Sequence, residues 1–323
     1  MKYKFYSNKA FIQMLTRSLN SEHLCHAYLF YGAKGIGKKT LANYFAMGVL
    51  CKSEEKPCYQ CSSCHKFLTG NHPDVHIVGI EDNKKSISVD TIRKLRQDAY
   101  IKPNESKVQV YIIPNIETMS IGAFNAFLKV LEEPPETAMF ILTAESKAAV
   151  PETILSRCIS YPLYPLSYEE CVQALKELAP EKEEASIEKA AIHSNGILGK
   201  ALEIINSESY SEVELISNAI LEGILQRNEY EVLKVLTNMK ADKEKLSNLI
   251  NELTRVIRNI VLTKVNAQQP VDDQIEALSY KITLTQANKL VEVLQQSNDY
   301  MQSNMNVGLL VNWLCAQIFS VLS

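Results

Sequence analysis

Long apolar runs, a surplus of one charge and a leader-like N-terminus are all missing from this sequence. Its first residues, MKYKFYSNKA, lack the apolar core that a secretory signal needs. The longest uncharged stretch, Tyr300 to Ser323, is interrupted by Asn304, Asn306, Asn312 and Gln317. It is therefore expected to pack as a buried or subunit-facing helix, with no membrane contact. The 34 basic and 37 acidic residues leave a net charge of −3. A chain that carries most of a nucleic-acid interface by itself is usually basic, so any such role is expected to be shared with partners or confined to a small patch. Glycine and proline are sparse at 11 each, and no internal repeat or low-complexity tract is present. What remains reads as a cytoplasmic globular protein of 323 residues, long enough for two or three domains.

A different lack sits inside an otherwise complete motif. The stretch GAKGIGKKT, Gly32 to Thr40, follows the apolar run Ala27–Tyr31 and opens a helical pattern, which is the strand–loop–helix setting of a P-loop. Gly32, Gly35 and Gly37 let backbone N–H groups converge on phosphate oxygens, and Lys38 can reach the terminal phosphates. The next position should supply a hydroxyl for Mg²⁺, but it is Lys39. Thr40 comes one residue late, roughly 100° further around the helix. A P-loop hydrolase also needs acidic residues at the end of a later apolar strand. The candidate strand, Val108–Ile113, ends in Pro114-Asn115, and Glu117 is expected to lie beyond the metal position. Two independent positions thus lack magnesium chemistry. Together they indicate a nucleotide-binding fold that does not hydrolyse.

Residues 1–165 alternate strand-like and helix-like runs. Strands are expected at Ala27–Tyr31, Val75–Ile80, Val108–Ile113, Ala138–Thr143 and Ile159–Tyr161, and helices at Lys38–Leu50, Val89–Ala99 and Ile121–Leu131. Such alternation implies a mostly parallel sheet covered by helices. Short helices with a turn at Asn195-Gly196 follow over 166–207. From 208 onward the pattern is all helical, with Leu246, Leu249, Ile250, Leu253, Val256, Ile257, Ile260 and Val261 on one face.

In a reducing compartment eight cysteines argue against disulfides and for a metal site. Cys58, Cys61 and Cys64 are spaced C-x2-C-x2-C, and Cys51 completes four thiols within fourteen residues. They can close tetrahedrally on a structural Zn²⁺ at about 2.3 Å each, with no open position for catalysis. The further cysteine and proline of a ferredoxin-type iron–sulfur run are absent. His65 is adjacent but redundant once four cysteines serve. Cys25, Cys158, Cys171 and Cys315 are scattered and are expected to act as small core hydrophobes.

Taken in order, the loop and its helix, the four-cysteine insertion, NHPDVHIV (Asn71 to Val78), NAFLKVLEEPPETAMFIL (Asn125 to Leu142) and Ser156-Arg157-Cys158 resemble the bacterial clamp-loader subunits of DNA polymerase III, of the AAA+ class. The resemblance covers most of residues 1–205. It implies an α/β AAA+ domain over 1–165 with a RecA-like parallel sheet and a zinc insertion at 51–64, then a small helical lid over 166–207 and an all-α collar over 208–323. The family's ATPase subunits keep the P-loop hydroxyl and the acidic pair, so this chain resembles the delta-prime type. That implies no intrinsic ATPase, ATP or ADP bound weakly or not at all at Gly32, Gly35, Gly37, Lys38 and Thr40, and no functional Mg²⁺ site, within a nucleotidyltransferase holoenzyme. The resemblance also implies that Arg157 projects into the ATP site of a neighbour, where comparable arginine fingers contribute about 10³–10⁵ in kcat. The implied partners are gamma/tau and delta subunits in a hetero-oligomer, with the sliding clamp and primer-template DNA met through the assembly. Lys200 falls where ATPase relatives carry a phosphate-sensing arginine; as a point charge it suits that role poorly, and a surface lysine in the first turn of a helix is an equal reading. Two alternatives remain: an ATP-hydrolysing gamma/tau-type subunit with unusual magnesium ligands, and a zinc-dependent DNA-binding module.

Overall fold

A computed structural model of the chain describes residues 6, 9–19, 24–81, 84–206, 208–239, 243–265, 273–303 and 305–322. It divides into two compact units, residues 1–205 and 206–323. The first runs α1 (Lys9–Leu19), β1 (Ala27–Tyr31), α2 (Lys38–Leu50), α3 (Ser62–Leu68), β2 (Val75–Ile77), α4 (Val89–Ala99), β3 (Gln109–Ile113), α5 (Ile121–Glu132), β4 (Ala138–Ala144), α6 (Glu152–Leu155), β5 (Ile159–Pro162), α7 (Tyr168–Leu178), α8 (Glu184–His193) and α9 (Leu198–Asn206).

The five strands form one parallel sheet in the order β2-β3-β4-β1-β5. A sheet covered on both faces needs apolar side chains at every position, and β3 and β4 are buried throughout. The period of two then sorts them. Tyr28, Phe30, Val110, Ile112, Met139 and Ile141 join Leu15 and Leu19 of α1 and Leu41 and Phe45 of α2. Leu29, Tyr111, Ile113, Phe140 and Leu142 face the opposite way, onto Ile92 of α4 and Phe127 of α5. All strand centres and the three expected helices are where periodicity puts them, but β2 stops at Ile77, short of Ile80. Val78 N–H still reaches Ile112 O (2.8 Å), and β3 ends one residue later, leaving Gly79 and Ile80 without a strand to pair with. A separate small core of Cys171, Leu175, Ile187, Ala190, Ala191 and Ala201 joins α7, α8 and α9.

The second unit is helical among its described residues: α10 (Glu208–Leu225), α11 (Glu229–Thr237), α12 (Lys243–Lys264), α13 (Asp273–Lys281), α14 (Leu284–Gln302) and α15 (Val307–Leu322). The apolar stripe of α12 lies in its core, with Leu246 to Ile260 buried and Val261 partly so. Among the described residues no helix is long and apolar enough to cross a membrane. Asn304 and Ser323, both within the uncharged stretch, lie outside the described residues.

One buried acid holds the sheet's edge together. Asp74 is fully buried at the entry to β2. Its carboxylate accepts from the backbone N–H groups of Asn104, Glu105 (2.9 Å) and Ser106 (2.8 Å), and from Asn104 Nδ2 (3.3 Å). Burial alone raises the pKa of this group, but those donors outweigh it and hold it below the ordinary carboxylate value of 3.8. A depressed native pKa stabilises the fold above the unfolded value, and that stabilisation is lost as pH falls through the native one. Asp74→Asn is expected to lower stability by about 1–3 kcal/mol through donors left unpaired, and to remove the part of acid sensitivity that sets in below pH ~4. Urea unfolding at two pH values checks both.

Candidate functional site

The Gly32–Thr40 loop lies at the carboxyl end of β1, with α2 leading away from it. Two of its donors, the Lys38 ammonium and the Gly32 N–H, are engaged by the protein itself. Lys38 is buried, and its Nζ donates to Gly32 O (2.6 Å) and Ala33 O (3.0 Å). The lysine turns inward, onto the carbonyls of its own loop. Burial pushes its pKa down, against the carboxylates of Glu145 and Glu117. Gly32 N–H donates to Ala144 O (3.1 Å). The tip is held from outside as well: Gly35, at φ 82°, accepts from Gly199 N (2.9 Å) in the first turn of α9. A Cβ on Gly199 would lie 2.6 Å from Gly35 O, so only glycine permits this approach. The backbone N of Lys200 also lies beside Gly35.

At the magnesium positions, Lys39 is exposed and Thr40 half-buried. Asn115, after the end of β3, is left-handed (φ 51°), and its N–H donates to Thr143 Oγ1 (3.0 Å). Glu117 does not leave the site as the sequence suggested. The 3₁₀ turn Ile116–Thr118 curls back, so that Glu117 Oε1 accepts from Glu145 N (3.0 Å) at the tip of β4. Its Oε2 is buried without a hydrogen-bond partner. Sequence reasoning missed Thr143 and Glu145; a lone polar residue inside the apolar run of β4 was the available signal.

The four thiols of Cys51, Cys58, Cys61 and Cys64 converge, with all sulfurs within 4.8 Å of one another. Cys51 Sγ lies 4.0 Å from Cys61 Sγ, and Cys58 Sγ 4.0 Å from Cys64 Sγ. Four sulfurs at about 2.3 Å around one tetrahedral centre are separated by roughly 3.8 Å, so the donor set fits Zn²⁺. The backbone N–H groups of Cys58, Cys61 and Cys64 point at the sulfurs of Cys51, Cys58 and Cys61, at 3.4, 3.3 and 3.5 Å. Such donors favour thiolates. Hydrogen bonds from Ser53 and then from the backbone of Gln60 and Cys61 pull the Cys58 pKa down to about 6, while burial pushes that of Cys64 up. The segment is less loop-like than its polarity implied. Cys61 caps α3 and Cys64 lies within it, whereas His65 is exposed and outside the sulfur group. Of the scattered cysteines, Cys171 and Cys315 are buried, but Cys25 and Cys158 are only half-buried.

The Asn71–Val78 motif explains how this insertion is held. Ser63, between the last two cysteines, donates to Leu50 O (2.8 Å) and contacts His72 Nε2 (2.9 Å). With the hydroxyl hydrogen on Leu50, His72 Nε2 is the donor, and Nδ1 accepts from Asp74 N (3.2 Å). Both ring nitrogens are satisfied only in neutral imidazole. Burial accordingly lowers the His72 pKa, outweighing the carboxylates of Asp74 and Glu105.

Arg157 follows α6. Its Nη1 donates to Thr153 O (2.8 Å) and Ser156 Oγ (3.2 Å), and its Nη2 to Glu132 Oε1 (2.9 Å). The arginine lies on a different part of the unit's sequence from the loop and the cysteines, and no contact joins it to either among the described residues.

Residues 7–167 match the family described as "DNA polymerase III, delta subunit". DNA polymerase III subunit tau of Bacillus subtilis (strain 168) is 29% identical over 317 residues, 89% of this chain and 56% of its own length. This chain is a relative of the DNA polymerase III delta-type and gamma/tau subunits. Subunit gamma of Buchnera aphidicola subsp. Acyrthosiphon pisum is 29% identical over 77% of this chain and 70% of its own. Subunit delta' of Bacillus subtilis (strain 168) is 36% identical, but over 48% of this chain and 47% of its own. The chain thus spans about half the length of the two Bacillus relatives it matches. The first unit is thus a parallel-sheet α/β fold, and a helical C-terminal region follows it.

Two outcomes follow from the site's geometry. The purified chain is expected to carry stoichiometric zinc; Cys61→Ser should lose it, and a chelator should lower the thermal midpoint of the remaining protein, as checked by elemental analysis and calorimetry. Gly199→Ala is expected to force α9 off the loop and lower stability by about 1–3 kcal/mol, with faster amide exchange at residue 199 as the local readout.

Proposed function

We propose that the chain is a non-hydrolysing, delta-prime-type subunit of the DNA polymerase III clamp loader that supplies Arg157 in trans to a neighbouring ATPase subunit. The observation that carries this reading is the loss of magnesium chemistry at two separate positions, Lys39 and Pro114-Asn115, in a chain that keeps the Ser156-Arg157-Cys158 segment. In this reading the loop binds ATP or ADP weakly or not at all, since Lys38 must leave the carbonyls of Gly32 and Ala33 to reach a phosphate. Zn²⁺ at Cys51, Cys58, Cys61 and Cys64 is structural in this reading, since four thiolates leave no open coordination position. The separate core of α7, α8 and α9 supports a lid over 166–207 between an AAA+ domain (1–165) and a collar (208–323) that assembles with gamma/tau and delta subunits. The assembly acts on the sliding clamp and primer-template DNA.

A second reading is a gamma/tau-type motor subunit, favoured by the breadth of the match to Bacillus subtilis tau across 89% of this chain. ATP turnover separates the two. The purified chain, with or without DNA, is expected to hydrolyse no ATP, and turnover abolished by Lys38→Ala would establish the motor instead. In the reconstituted loader, Arg157→Ala is expected to slow the ATP site it faces by about 10³–10⁵-fold without preventing assembly. Unchanged turnover would remove Arg157 from the mechanism.

A further inference from the structure

We propose that Glu132 is a positioning residue for Arg157: it orients the guanidinium on the free subunit and yields it to a neighbour's phosphate. The inference rests on the reading of Arg157 as an arginine acting in trans. It begins from an anomaly in α5. That helix ends in Glu132 and is followed by Glu133, Pro134 and Pro135. The prolines stop the helix, but the two acids stand at its negative end, where carboxylates are disfavoured and cations preferred. A carboxylate persists there at little loss if a cation covers it, and Arg157, 25 residues later, does so.

The guanidinium is held from two sides. On one, Thr153 O and Ser156 Oγ fix Nη1, and Ser156 is itself fixed by donating to Thr153 O (3.0 Å). On the other, Glu132 fixes Nη2 at 2.9 Å. The side chain nevertheless keeps 34% of its surface exposed, and its Nε has no partner among the described residues. The guanidinium is therefore held in a defined plane while about a third of the side chain stays open to solvent. The two contacts differ in what a phosphate would do to them. The Nη1 contacts are to neutral groups and can persist. The Glu132 contact is an exposed ion pair, weak because water screens it, and a more highly charged phosphate competes for the same N–H with better geometry. Glu132 thus limits the rotamers Arg157 searches before assembly and does not trap it afterwards.

The test uses the full chain in four forms: wild type, Glu132→Ala, Arg157→Ala and the double variant, with Glu132→Gln as the conservative control. In the free subunit, Nε–H relaxation of Arg157 by NMR is expected to show loss of order in Glu132→Ala and partial retention in Glu132→Gln, whose amide oxygen still accepts. With the chain assembled beside a P-loop subunit that keeps its magnesium ligands, Glu132→Ala is expected to lower kcat of that neighbour's ATP site by about 10–100-fold at unchanged KM, the effect of a misplaced group. Added to Arg157→Ala, it should lower kcat no further. An equal effect with and without Arg157, or wild-type kcat in Glu132→Ala beside a slowed Arg157→Ala, overturns the proposal. If Arg157→Ala itself leaves turnover intact while Nε order still falls without Glu132, the trans reading fails and the orienting contact stands.

Discussion

A buried ammonium must find oxygen, and in this chain Lys38 finds it in the carbonyls of Gly32 and Ala33. Much of the site's geometry depends on that choice. A lysine turned back onto its own loop draws the carbonyl side of the loop inward, where a phosphate-binding loop directs N–H groups toward the ligand. The loop's far side then meets α9 through Gly35 and Gly199, backbone against backbone. Glu145 and Glu117 gather around the same cation, their charges opposing the loss of proton affinity that burial imposes on it.

The carbonyls, the acid at β2 and the acid at the end of α5 follow one rule at three depths. A charge out of water is kept where fixed donors or acceptors replace the water. Asp74 is fully buried and takes backbone N–H groups from three consecutive residues. Lys38 is buried and takes two carbonyls. Glu132 is half in solvent and needs one guanidinium. Among these three, the two buried charges are met mainly by backbone groups and the exposed one by a side chain.

The sequence was most legible where a period or a spacing carried the information. Short continuous apolar runs in β1, β3 and β4 and the long stripe of α12 located the cores of the two units, because apolar burial leaves a regular trace. The C-x2-C-x2-C spacing likewise brought its thiols together, since reach along a tight turn is set by chain length. What spacing could not show was direction. Whether Lys38 points out to a ligand or back to its loop depends on the path of the Gly32 and Ala33 carbonyls, which residue spacing does not encode. Glu117 was placed outside the site because a strand extrapolated past Ile113 runs straight, whereas a left-handed Asn115 followed by a 3₁₀ turn reverses it. The histidine and aspartate of the Asn71–Val78 motif were conspicuous as letters, but their purpose required Ser63 and the 104–106 turn, neither adjacent in sequence.

The Gly35–Gly199 contact also sets how freely the loop can change. The carbonyl of Gly35 bonds to the backbone of α9, and the ammonium of Lys38 to the carbonyls of Gly32 and Ala33. Gly199 opens a helix whose own small core joins α7 and α8. A change in the path of the loop therefore has to carry with it a helix anchored in another layer of side chains.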